Sequence, residues 1–136
     1  MKMKAALLAL AVSLPFAGTA CAQTVADVHF LRGDFGAMVS GTITGDAYFD
    51  YRLGASGGQE LFAELMMSDT NGNGTIYFNI LPPGSDGVAI YNGSIDGNVA
   101  RVTLPDDGEY TIRVYLMGND RDTGKTVGYN LDLSIQ

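Results

Sequence analysis

Of the residues able to do chemistry, the run Asp69-Thr70-Asn71-Gly72-Asn73-Gly74 is the most suggestive. A carboxylate and amides at alternate positions, then glycine, match the opening of a calcium loop, D-x-N-x-N-G. The twelfth position of such a loop carries a bidentate glutamate; here it is Ile80, and Tyr77-Phe78 between them belong to a strand. The run therefore reads as a hairpin connection, with Asn-Gly supplying the positive φ that such turns need. His29 is the single histidine. One imidazole without a thiolate or a second imidazole does not close a zinc site unless carboxylates complete it. No nucleophile elbow frames any serine. Fifteen carboxylates against eight cations could include an acid/base pair, but they read as solvated surface. Neither catalysis nor a cofactor nor a metal is expected.

Tyrosine and arginine tell a different story. In 104–118, Pro105-Asp106-Asp107-Gly108 makes a turn, and a long alternating strand follows. Tyr110, Ile112, Val114 and Leu116 form a core face, while Thr111, Arg113, Tyr115 and Met117 point the other way. Elsewhere the outward parity collects Tyr48, Asp50 and Arg52, and again Tyr77, Asn79 and Leu81. If these strands are neighbours, three tyrosines and two arginines share one surface. Tyr and Arg dominate protein interfaces because each offers large area and a polar end. The alternative is that they are cross-strand pairs supporting the sheet. The loop 118–125 adds Arg121 at its tip. An arginine there suits a carboxylate-lined cleft, or else it pairs in solvent with Asp120 or Asp122.

These residues need a scaffold, and the chain begins with something else. Lys2 and Lys4 precede an apolar run at 5–12, Pro15, and small residues up to Ala20-Cys21-Ala22. That pattern is a secretory signal cut after Ala22, leaving a leader 1–22 and one domain, 23–136. The apolar run is too short to anchor in a bilayer. Cys21 opens a second reading, a lipidated cysteine, although Gly18 stands where a lipobox usually has Leu. Without lipidation there is no membrane attachment. After the cut no cysteine remains, so stability rests on packing rather than on a disulfide. Six cations then face fifteen carboxylates, a formal charge of −9. Nucleic acid is a poor partner for such a chain, and a cationic protein a good one.

Eighteen glycines, seven tyrosines, six phenylalanines and no tryptophan suggest β structure with many turns. Strands are expected at 25–32, 37–43 (with a possible bulge at Gly41), 46–55, 60–68, 75–81, 88–91, 98–104, 110–117 and 127–135, with no helix. Ser56-Gly57-Gly58 and Pro82-Pro83-Gly84-Ser85 interrupt them. The fold class is all-β: a single-domain antiparallel β-sandwich of eight or nine strands.

Three segments carry a resemblance: DYRLGASGGQEL (50–61), YFNILPPGSDGVAIYNGSI (77–95) and LPDDGEYTIRVYLMGNDR (104–121). Together they resemble the periplasmic inhibitors of goose-type (g-type) lysozyme from Gram-negative bacteria. The resemblance implies a small antiparallel β-sandwich that blocks the active-site cleft of a lysozyme, without cofactor or catalysis. It implies Tyr48 or Tyr51 and Arg121 as contacts, beside Arg113 and Tyr115 from the face argument and their neighbour Asp50. The glycine-rich loop before Glu60 and the corner ending at Ser85 are further candidates for insertion. A looser likeness, through a G-x-Y-x-I-x-V strand, is to the C-terminal domains appended to secreted bacterial proteases. That likeness implies instead a stand-alone sugar- or calcium-binding module.

Overall fold

The alternating run at 110–117 is the central strand of a five-stranded sheet. A computed structural model describes residues 23–30 and 35–136; the leader with Cys21, and Arg32, lie outside the described residues. The strands are β1 (Gln23–Asp27), β2 (Gly36–Thr44), β3 (Tyr48–Ala55), β4 (Glu60–Thr70), β5 (Ile76–Leu81), β6 (Tyr91–Asn92), β7 (Val99–Thr103), β8 (Gly108–Leu116) and β9 (Thr126–Ile135). Two single-turn helices, α1 (Gly93–Asp96) and α2 (Gly118–Asp122), precede β7 and β9. One sheet runs β1-β3-β8-β5-β6 and the other β2-β9-β4-β7. The apolar faces of the two meet in one core. Tyr110, Ile112, Val114 and Leu116 come from one sheet; Leu61, Ala63, Leu65, Val127, Leu131 and Leu133 come from the other. Each fully buried aliphatic side chain contributes roughly 1.5–3 kcal/mol, so this sandwich holds without a disulfide in the described residues.

Several expectations are corrected. The 69–74 run is not a hairpin. β4 pairs with β7 and β9, whereas β5 pairs with β6 and β8, so the run arches from one sheet to the other. Both flanking strands bury a face in the same core, and face-to-face packing takes precedence over edge pairing. Gly41 is not a bulge: β2 and β9 keep an unbroken register from Gly36↔Ser134 to Thr44↔Thr126. Its missing side chain instead makes room for the Tyr129 ring, which a Cβ would meet at 2.7–3.3 Å. The bulge lies in β4, between Met67 and Asp69. One pair, β1 with β3, is parallel. Leu81 keeps the outward parity expected of it but is covered rather than open to solvent, at 2% exposed. The strand expected at 88–91 shrinks to Tyr91–Asn92. The two helical turns are too short to leave a 3.6-residue period in the sequence.

Within the core the Tyr51 and Tyr129 hydroxyls meet at 2.6 Å. Burial is the main cause that raises both phenols above their usual value of 10.0. Stability tied to their protonated form is complete below that value and declines as pH rises beyond it. Tyr129→Phe strands the Tyr51 hydroxyl, at an expected cost of about 1–2 kcal/mol. Removing both hydroxyls is expected to cost less than removing one. Urea unfolding of the two single variants and the double variant checks this, and additive losses would contradict it.

Candidate functional site

The outer face of the five-stranded sheet realises the parity argument. Register places Tyr48 opposite Tyr115, and Tyr115 opposite Tyr77, so the three tyrosines form one row across β3, β8 and β5. The next row is Asp50, Arg113 and Asn79, and the one after is Arg52, Thr111 and Leu81. Period-two alternation sets these side chains on one side, and strand order makes them neighbours.

Arg113 braces this face. Its Nε and Nη2 donate to Asp50 Oδ1 and Oδ2 at 2.8 and 3.0 Å, a bidentate pair. Its Nη1 donates to the Asp86 carbonyl at 3.1 Å, which ties down the loop after β5. Its guanidinium carbon sits 4.3 Å from the centre of the Tyr48 ring. The hydrogen bond to Asp50 is the largest cause raising the Arg113 pKa. Such fork-to-carboxylate contacts are directional as well as strong.

Beside the brace lies an open groove of about 400 Å³, lined by Asp46, Tyr48, Asn79, Ser94, Tyr115, Met117 and Arg121 among others. Tyr115 donates its hydroxyl to Asn79 Oδ1 at 2.7 Å, with Asn92 Oδ1 at 3.4 Å. Burial, above all, pushes this phenol upward. Asn92 also caps α1, its Oδ1 accepting from the Ser94 backbone at 3.1 Å and the Ser94 hydroxyl at 2.7 Å. The groove floor is thus hydrogen-bonded to itself.

Arg121 stands exposed on α2, whose neighbouring residue anchors it. Asp120 is fully enclosed and accepts from the backbone of Asn73 at 2.9 Å and of Thr75 at 2.7 Å. These bonds fasten α2 to the arch at 69–74. In the same arch Asn71 accepts from the Thr126 backbone and Thr70 Oγ1 from Gly72. The bonds from Asn73 and Thr75 hold the Asp120 carboxyl below its usual 3.8. A depressed carboxylate pKa adds stability above the unfolded value and loses it as pH falls through the folded one. Asp120→Ala is expected to lower the melting temperature at pH 7 and to make the loss between pH 5 and pH 2 shallower, read by thermal melts across that range.

The structure therefore gathers Tyr48, Tyr115 and Arg121 around one groove, with Arg113 and Asp50 as its brace. Asp50 is 2% exposed and supports the face from beneath. Ser85 lies in the adjoining loop, where its hydroxyl donates to the Val88 carbonyl at 2.7 Å. Tyr51 is corrected: it is 3% exposed, on the core side of β3, because its parity follows Leu53 and not Tyr48. The loop expected at 118–125 begins as a helical turn. Sequence reasoning missed Asn92 and Ser94. Asn92-Gly93-Ser94 is a helix-capping signature, but one turn of helix offers no period to confirm it.

Fold and face together define a β-sandwich with a tyrosine-lined groove on one outer face. The chain is 32% identical over 133 residues to an inhibitor of g-type lysozyme from Escherichia coli (strain K12), covering 96% of this chain and 92% of that protein. It belongs to the family of inhibitors of g-type lysozyme. No protein-family model matches it. Among solved structures, Aeromonas hydrophila PliG, a periplasmic lysozyme inhibitor of g-type lysozyme, matches with TM-score 0.75 and 29% identity, over 84% of this chain and 97% of that one. Salmonella Typhimurium PliG, described in the same words, matches with TM-score 0.65 and 28% identity, over 83% and 98%. The pre-peptidase C-terminal domain of a Bacillus anthracis collagenase shares the fold alone, at 14% identity and TM-score 0.52, over 84% and 94%.

Proposed function

We propose that this chain is a periplasmic inhibitor of g-type lysozyme that occludes the enzyme's active-site cleft without covalent chemistry. Family membership supports the target class. The observation that carries the mode of action is the groove on the outer sheet face, with Tyr48 and Tyr115 in one row and Arg121 at its margin. Rigid tyrosines supply contact area at little entropic cost, and an exposed guanidinium can bond a carboxylate in the target's cleft. The excess of carboxylates over cations draws a cationic lysozyme toward the chain and speeds encounter.

The test is to add the protein, freed of its leader, to goose-type and chicken-type lysozymes during cell-wall lysis. Goose-type activity is expected to fall at near-stoichiometric inhibitor. Undiminished goose-type activity at moderate excess rejects the proposal. A second reading, a stand-alone sugar- or calcium-binding module, has only the fold shared with the collagenase domain behind it. That reading requires calcium to raise the melting temperature through the 69–74 arch. An unchanged melt in calcium and in chelator argues against it.

A further inference from the structure

Four methionines lie within the described residues, and only one of them lines the groove. Met117 is 38% exposed and follows β8, in the position that caps α2. Its side chain shares the groove with Tyr48, Tyr115 and Arg121. The other three belong to the opposite sheet. Met38 (61% exposed) and Met66 (41%) are on β2 and β4, and Met67 (49%) borders the β4 bulge, its sulfur against Gly74. All four methionines are exposed, and three of them more so than Met117.

We propose that Met117 is an oxidation site through which a peroxide-class oxidant weakens target binding at this groove. The inference rests on the inhibitor reading above and adds a chemical control to it. In the step, a lone pair of the Met117 sulfur attacks one peroxide oxygen, the O–O bond breaks and a sulfoxide S–O bond forms. The sulfur gives up two electrons; the proton of the transferred hydroxyl passes to the departing hydroxide, which leaves as water. A flexible apolar group becomes a polar one. When a partner closes over the groove, the sulfoxide oxygen is dehydrated without a fixed donor. Burying such a group costs on the order of 1–3 kcal/mol, which corresponds to roughly 5- to 150-fold in affinity. Met38, Met66 and Met67 serve as built-in controls, because they belong to the other sheet and none of them lines the groove.

The experiment uses the full domain, hydrogen peroxide as oxidant, mass spectrometry to score each methionine, and binding to a goose-type lysozyme as readout. The treated parent is expected to bind at least about fivefold more weakly. Met117→Leu, whatever its starting affinity, is expected to bind equally well before and after the same treatment. A variant with Leu at 38, 66 and 67 is expected to lose affinity as the parent does. A methionine sulfoxide reductase is expected to restore the parent. The melting temperature, followed in parallel, is expected to stay constant. Full sulfoxide at Met117 with unaltered binding overturns the proposal, and so does equal loss in Met117→Leu. Failure of the untreated protein to bind lysozyme sinks the inhibitor reading itself, which separates the two failures.

Discussion

Arg121→Ala is expected to melt with the parent and to inhibit goose-type lysozyme about 30- to 700-fold more weakly. That range is the ~2–4 kcal/mol typical of an interface anchor, converted to affinity. Arg121 is exposed, and among the described residues it makes no ion pair. Its removal leaves no buried group stranded, so folding is spared. The anchoring is done next door by Asp120, whose carboxylate stays in place. Arg121→Lys is expected to recover only part of the loss, because an ammonium does not reproduce the planar fork. Tyr115→Ala is expected to weaken inhibition too, with a small stability cost from its lost bond to Asn79. Inhibition constants and melts of the three variants decide the matter. Unaltered inhibition in both alanine variants would mean that the binding face lies elsewhere.

The second large effect is indirect. Asp50→Ala is expected to destabilise the domain by about 2–3 kcal/mol. A fully buried pair broken on one side costs ~3–5 kcal/mol, and 22% of the Arg113 side chain still reaches water. Inhibition is expected to fall as well, although Asp50 is enclosed. Without its carboxylate partner, the Arg113 guanidinium is free to leave the Tyr48 ring and the Asp86 carbonyl. Two elements bordering the groove then lose their brace. The double replacement Asp50→Leu with Arg113→Met separates the roles. It is expected to regain much of the stability, since packed apolar groups often match a buried pair, and not the inhibition. Urea midpoints with inhibition constants test both halves; a midpoint equal to the parent's for Asp50→Ala would remove the brace from the account.

The row of tyrosines was open to reading because parity is a local property. Tyr48, Asp50 and Arg52 alternate with Tyr51 and Leu53 whatever the rest of the chain does. The same rule placed Tyr51 on the core side, and carrying it over as a surface contact went against that parity. Arg121 was visible as a cation in a short polar stretch. The helical turn and its Asp120 anchor were not, because the anchor's partners, Asn73 and Thr75, lie 47 and 45 residues away. Asp50 looked like a surface carboxylate, and only its register with Arg113 reveals it as an enclosed one.

By itself, then, the sequence determined an all-β chain, the inward and outward set of most strands, and an acidic surface. These follow from period-two alternation, turn residues and charge, each carried within a few residues. Tertiary structure alone decided which strands pair, that the 69–74 run crosses between sheets, and that the tyrosines of β3, β8 and β5 line up. Pairing is fixed by the joint burial of two faces and by hydrogen bonds between segments distant in the chain, and no local pattern encodes either.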